Sequence, residues 1–156
     1  MNELQIAYYK SPIGYLKIAG FAEGIAAIDF LDEDAEATTN PAAGFEDCFC
    51  QLDEYFSHRR KTFSLKLNPQ GTDFQKRVWN ELLKIPYGQT VSYLDIAEAL
   101  GDKKALRAVG AANGRNPIPI IIPCHRVIGR NGDLIGFGGG IWRKEWLLRH
   151  EGAVLV

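Results

Sequence analysis

The segment SYLDIAEALGDKKALRAVGAAN, residues Ser92–Asn113, decides the fold. Ser92 with Asp95 three residues on is a helix-start pair, and the helix it opens carries Leu94, Ile96, Ala97 and Leu100. Gly101 closes it, because glycine takes the left-handed conformation that a helix C-terminus needs. After the short turn Gly101–Lys103, a second helix is predicted over Lys104–Asn113. Two short helices across a glycine-containing turn predict a helix-turn-helix. The second helix is almost bare: Ala105, Ala108, Gly110, Ala111 and Ala112 surround a single Arg107. A major-groove reader would carry Arg, Asn or Gln at several positions. Two readings of the bare helix stay open. It approaches a narrow minor groove closely with Arg107 inserted, or it packs tightly inside the protein with Arg107 at its edge.

Upstream, Thr72 and Gln75 form a capping box ahead of Phe74, Val78, Leu82 and Leu83 on one helical face, and Ile85-Pro86-Tyr87-Gly88 stops that helix. The polar turn Asn68–Gly71 marks a boundary between domains at 1–70 and 71–156. Before it, Leu4–Lys10, Tyr15–Ala19 and Ile25–Leu31 read as strands, with Ser11-Pro12-Ile13-Gly14 as a turn. Asp32–Gly44 reads as a loop, Phe45–Phe56 as a helix through Phe45, Phe49, Leu52 and Phe56, and Thr62–Leu67 as a further strand. The fold class is α+β: a small strand-rich N-terminal domain and a C-terminal helix-turn-helix, winged-helix-like domain.

The 156 residues are 46% hydrophobic and 24% charged, an ordinary globular composition. The net charge of −1 hides an asymmetry. Residues 1–73 hold 6 Lys+Arg against 12 Asp+Glu, whereas residues 74–156 hold 12 against 7. A net of −6 joined to a net of +5 fits a supporting part and a part that meets an anionic partner such as nucleic acid. The longest purely apolar run is Ile120–Ile122, far short of a membrane span, so no membrane partner is expected. With no basic-then-apolar leader, the expected location is intracellular: cytoplasm or nucleoid in a prokaryote, nucleus in a eukaryote. Three cysteines, Cys48, Cys50 and Cys124, fit reduced thiols rather than a disulfide framework. Cys48 and Cys50 are too close in sequence for a usual metal pair, lack a second pair of ligands, and would point about 200° apart on a helix. No metal is expected.

Chemistry concentrates in Asn116-Pro117-Ile118-Pro119-Ile120-Ile121-Ile122-Pro123-Cys124-His125-Arg126-Val127. The prolines forbid a helix and predict an extended, buried path ending at Cys124. A thiolate is a good nucleophile, and an adjacent imidazole can take the thiol proton, directly or through water. A free cysteine is also commonly a small buried hydrophobe. The glycine-rich stretch Leu134–Gly140 could suggest a phosphate loop, but no Lys-Ser/Thr follows it.

These residues together resemble a known family. Pro-Cys-His-Arg-Val at 123–127, with Asn116-Pro117 before it and Lys144–Gly152 after it, is similar to the O6-alkylguanine-DNA alkyltransferases, or methylated-DNA–protein-cysteine methyltransferases. Phe74-Gln75, Val78-Trp79, Ile85–Gly88, Val91–Tyr93 and Arg107–Gly110 fit in order and spacing. The match is dense from Phe74 to Gly152 and rests only on length and strand character before that. The resemblance implies minor-groove binding of double-stranded DNA containing alkylated bases and flipping of the damaged guanine. An irreversible, single-turnover transfer of the alkyl group from O6-alkylguanine, and from O4-alkylthymine, to Cys124 would follow. It implies no cofactor and a monomer. Residue by residue, it makes His125 the water-mediated base oriented by Glu151, and Tyr93 the group that hydrogen-bonds the flipped base and turns its phosphate. Arg107 would fill the vacated stack, and Asn116 would hinge the recognition helix to the cysteine strand. Pro119, Val127, Phe137 and Gly138 would line the pocket, and Asp102, Lys104 and Arg130 would meet the DNA backbone. Gly138 stands where some relatives have serine, which leaves contact with O6 to a backbone N–H. Two other classes share features with this reading. A lesion sensor of alkyltransferase type would lack the nucleophile that Cys124 supplies. A thiol hydrolase would use a Cys–His pair without needing the bare helix; a one-methyl mass gain from O6-methylguanine DNA separates them.

Overall fold

A computed structural model describes residues 3–153 and divides the chain into two compact units, Met1–Gln70 and Gly71–Val156. The outermost positions of the expected domains, 1–2 and 154–156, lie outside the described residues.

In the first unit, β1 (Gln5–Ser11), β2 (Gly14–Phe21) and β3 (Gly24–Phe30) form an antiparallel meander in that order. The Ser11 hydroxyl donates to Gly14 O at 2.6 Å and accepts the Ile13 N–H at 3.2 Å, closing the expected turn. Alternation buries Ala7, Tyr9, Leu16, Ile18, Ile25 and Ile28 on one face. Helix α1 (Ala43–Phe56) turns Phe45, Cys48, Leu52 and Tyr55 inward. Phe49 and Phe56, expected in that inner stripe, are half-buried and instead flank the Tyr9 ring at 5.2 and 6.3 Å. The Tyr9 hydroxyl donates to Asp53 of the same helix.

The strand expected over Thr62–Leu67 does not form. An isolated parallel bridge, Ile25 with Leu67, is what remains of it. The backbone groups of the segment are satisfied otherwise. Ser64 N–H donates to the Gln51 side-chain oxygen at 2.9 Å, Lys66 O accepts the Ile25 N–H, and Asn68 N–H reaches Ile25 O. Pro69 has no N–H with which to carry a ladder further.

The second unit is built on capped helices. Thr72 and Gln75 form the full capping box of α2 (Asp73–Leu82), and Ser92 and Asp95 form that of α3 (Tyr93–Ala99). Each cap supplies partners for orphan N–H groups at a helix start. The inner face of α2 is Val78, Trp79 and Leu82, whereas Leu83 is exposed. Trp79 donates its indole N–H to Ala112 O at 2.9 Å, fastening α2 to α4 (Leu106–Gly114). Gly101, with φ of 81°, ends the α3 segment. A 3-10 turn at Lys103–Ala105 then leads into α4. The strands here are β4 (Val91–Ser92) and β5 (Val127–Ile128), paired in parallel, before α5 (Ile141–His150).

The path from Asn116 to Pro123 is not extended, as the prolines suggested, but folded into a tight turn. Ile122 N–H donates to Ile118 O at 2.9 Å and Ile120 sits at φ of 73°. Proline fixes its own φ near −65°, which suits a turn as well as an extended chain. Asn116 decides between them. Its side-chain oxygen accepts the Ile118 N–H at 3.0 Å and its amide donates to Ile122 O at 2.7 Å, so one side chain clamps both ends. Cys124 consequently begins a 3-10 turn, Cys124–Arg126, and no strand precedes it. Asn116→Ala is expected to cost about 1–3 kcal/mol, because it strips partners from two backbone groups at once. A thermal melt checks it; an unchanged melting temperature would show that the prolines alone hold the turn.

Candidate active site and nucleic-acid interface

The 3-10 turn puts Cys124, His125 and Arg126 on one buried corner, and α5 delivers Glu151 to it. Glu151 is a carboxylate held on three sides. Its Oε2 lies 2.8 Å from His125 Nε2 and accepts from an Arg126 amino group at 2.9 Å, while Oε1 accepts Arg126 Nε–H at 2.8 Å. Arg126 also donates to Ile85 O at 2.7 Å. Burial by itself would raise the Glu151 carboxyl, but the hydrogen bonds and charges of His125 and Arg126 outweigh it and hold it well below the usual carboxylate range. His125 is driven the other way: burial lowers it, against the pull of Glu151, and keeps the imidazole neutral. An ionised carboxylate can only accept, so Nε2 carries the histidine proton and Nδ1 presents a lone pair. His125 Nδ1 is buried and has no hydrogen-bond partner among the described residues.

Cys124 is 5% exposed, and burial pushes its thiol up to about 11, partly relieved by a hydrogen bond from Asn116 and the positive charge of Lys144. The resting sulfur is therefore a thiol, whose proton must be removed before it can act as a nucleophile. Lys144 is fully buried, donates to Ile135 O at 2.9 Å, and is lowered to about 8 chiefly by burial. Its Nζ stands 6.0 Å from the centre of the Tyr93 ring. The Tyr93 hydroxyl donates to the same Ile135 oxygen at 3.1 Å.

Beside this corner lies a cavity of about 650 Å³ between the α3–α4 pair and the 129–138 loop. Tyr93, Arg107, Arg130, Phe137 and Gly138 line it, as do Gly110 and Gly114 of the bare helix. Arg107, Ala108, Ala111 and Gly114 are exposed, and a Cβ placed on Gly110 or Gly114 would meet nothing within 4 Å. The small residues thus leave one face of α4 open rather than packed, while Val109, Ala112 and Asn113 form its buried side. That favours close approach of a partner over the buried-helix reading. Lys104 and Arg130 are exposed. Asp102 caps the 3-10 turn by accepting the Lys104 N–H at 3.0 Å, a structural task. Pro119 and Val127 are buried, Val127 pairing with Val91. Cys48 is buried and Cys50 exposed, and no group of three or more metal-binding side chains occurs among the described residues.

Sequence reasoning missed Arg126 and Lys144. Lys144 left a signal: with Leu147, Leu148 and Glu151 it falls at i, i+3, i+4 and i+7, the inner stripe of a helix, where an unpaired lysine is out of place.

The profile of the 6-O-methylguanine DNA methyltransferase DNA binding domain matches residues 73–153, and that of the same family's ribonuclease-like domain matches residues 4–69. A methylated-DNA–protein-cysteine methyltransferase of Methanosarcina acetivorans is 47% identical over 152 residues, 94% of this chain and 97% of the relative. One of Mycobacterium tuberculosis is 49% identical over 146 residues, 90% and 88% of the two chains. Among solved structures, the O6-methylguanine methyltransferase of Mycobacterium tuberculosis superposes with a TM-score of 0.86 at 46% identity, covering 96% of this chain and 93% of that one. The OGT protein of the same organism in complex with DNA gives a TM-score of 0.84 at 47% identity, covering 93% and 91%.

Two outcomes are expected from this geometry. Glu151→Gln leaves Arg126 buried without its counter-charge and should cost about 3–5 kcal/mol in a thermal or denaturant melt. Because the Glu151 carboxyl is depressed in the folded state, its contribution is full above the ordinary carboxylate range and fades only as pH falls through the depressed value. Second, iodoacetamide at neutral pH should label exposed Cys50 well before buried Cys124, with Cys124 labelling rising toward pH 11. Equal labelling by mass spectrometry would contradict a protonated, shielded thiol.

Proposed function

The chain belongs to the O6-methylguanine DNA methyltransferase family and is a DNA-repair methylated-DNA–protein-cysteine methyltransferase, and from that premise we propose that Cys124 is its alkyl acceptor. The single observation that carries this is the buried Glu151–His125 pair, whose Nδ1 is left unpartnered on the residue that follows Cys124 in the 3-10 turn. Neutral His125 takes the Cys124 proton at Nδ1, through a water molecule, and Glu151 stabilises the imidazolium that results. The sulfur then attacks the alkyl carbon. The S–C bond forms as the C–O6 bond breaks, and the electron pair passes into the guanine ring, which regains a proton. The net change is thiol plus O6-alkylguanine to thioether plus guanine. Since a thioether is not hydrolysed back, each chain acts once. The Lys144 ammonium, close enough to relieve the burial penalty on Cys124, offsets the thiolate charge as it develops. Arg126 keeps Glu151 ionised throughout.

The cavity supports the delivery of the base. Double-stranded DNA carrying alkylated guanine, or alkylated thymine at O4, approaches the open small-residue face of α4 along its minor groove. Arg107, exposed at the cavity wall, occupies the place of the extruded base, and Tyr93 and the 135–138 loop receive it. Arg130 and Lys104 offer positive charge to phosphates. No step calls for a metal or cofactor.

Incubation with O6-methylguanine DNA should add one methyl mass per chain, at Cys124. Cys124→Ala should abolish that gain while DNA binding persists and weakens with salt. Methyl transfer by the alanine variant would refute the acceptor. Arg107→Ala should slow reaction with lesion duplex far more than with free O6-benzylguanine, because extrusion of a base costs a few kcal/mol and only the duplex requires it. Equal losses would assign Arg107 to folding or to the pocket.

A further inference from the structure

The segment 85–88 stops α2, and the reaction as derived gives it no part. In the structure it meets the Arg126–Glu151 pair at several points. Ile85 O accepts an Arg126 amino group at 2.7 Å. The Arg126 guanidinium lies over the Tyr87 ring, 5.8 Å from its centre. Gly88, at φ of 79°, comes so near that a Cβ on it would stand 3.0 Å from Glu151 O. The Tyr87 hydroxyl donates a long bond, 3.5 Å, to the carbonyl of His150, the residue before Glu151.

The hydrogen bonds of Arg126 to Glu151 and Ile85 all lie in the plane of the guanidinium, where its donors are. They do not hold its faces. A guanidinium is weakly hydrated and stacks on aromatic rings, whose faces carry negative charge. Arg126 is 6% exposed and Tyr87 half-buried, so the ring is the outer member of the pair. Burial and the charge of Glu151 hold the Tyr87 hydroxyl above its ordinary range, so it stays neutral.

We infer that Tyr87 is a positioning residue for alkyl transfer: its ring holds Arg126 against Glu151 and keeps water from the Glu151–His125 pair. This rests on the alkyl-transfer reading above and adds to it the side chain that sets the pH range of the base. The titratable and charged groups around His125 are Cys124 and Arg126 on its own turn, Lys144 and Glu151 from α5 and its end, and Tyr87. Helix α2 turns the apolar Val78, Trp79 and Leu82 inward. Burial is the largest influence on the imidazole and lowers it; Arg126 and Lys144 also lower it, against Glu151. Loss of the Tyr87 ring admits water and loosens Arg126, and both changes release His125 upward toward its ordinary range. A protonated His125 cannot take the Cys124 proton, so the acid limb of the transfer rate moves to higher pH.

The test is the pH profile of single-turnover methyl transfer at saturating O6-methylguanine duplex. Tyr87→Phe keeps the ring and should keep the limb where wild type has it. Tyr87→Leu should raise the limb by about one pH unit, slowing transfer about tenfold below it and less than about twofold well above it. Pentafluorophenylalanine in place of Tyr87 keeps the shape of phenylalanine but reverses the charge on the ring face, and should move the limb the same way. That replacement decides the matter if Tyr87→Leu does not fold. An unmoved limb in either ring-altered protein that melts near wild type overturns the inference. So does a loss equal at every pH, or a limb that moves as far in Tyr87→Phe. No methyl transfer by wild type at any pH would instead sink the alkyl-transfer reading itself.

Discussion

The Glu151–Arg126 ion pair is the constraint on which the reactive corner depends. Three bonds converge on one buried carboxylate, two from Arg126 and one from His125. A lone buried carboxylate would take up a proton, and a protonated Glu151 could no longer fix the histidine tautomer. Arg126 prevents this, and its further bond to Ile85 O ties the 3-10 turn to the segment after α2. A buried ion pair is seldom a net gain in stability over apolar packing. Its return here is orientation, with Nε2 committed to Glu151 and Nδ1 left without a hydrogen-bond partner.

The same corner shows how reactivity is withheld until substrate arrives. Burial that raises Cys124 to about 11 also keeps His125 neutral, so at rest the pair is thiol and imidazole rather than thiolate and imidazolium. A low-pKa exposed thiolate would be consumed by any soluble electrophile. A shielded thiol is spent only where geometry supplies the alkyl carbon and proton transfer proceeds in concert. If Cys124 is the once-used alkyl acceptor proposed above, that protection matters as much as rate.

One carbonyl, Ile135 O, gathers both Tyr93, which lines the cavity, and the buried Lys144. The loop that carries it is held to α5 by Arg143, which donates to Gly139 O at 2.9 Å. Glycine at 136 and 138 lets this loop keep its backbone at the cavity wall, where a side chain would take up space that a base needs. The small-residue face of α4 works on the opposite wall by the same means: removing side chains brings backbone and Arg107 to the partner.

Much of this was legible in the sequence. Local chemistry fixed the helix starts, since Thr72–Gln75 and Ser92–Asp95 satisfy N–H groups within four residues of themselves. Gly101 and the Ser11–Gly14 turn were equally local, the proline-framed Cys-His pair singled out Cys124 and His125, and the family resemblance added Glu151. What the sequence left undecided was settled by hydrogen-bond partners that its periodicity does not report. Thr62–Leu67 alternates like a strand, yet its N–H and C=O groups are taken by Gln51 and Ile25. The proline-rich run reads as extended, but Asn116 closes it into a turn with two bonds that no periodicity reveals. The openness of α4 and the burial of Lys144 belong to the tertiary structure alone. They depend on which face a helix turns to its neighbours, and only packing decides that.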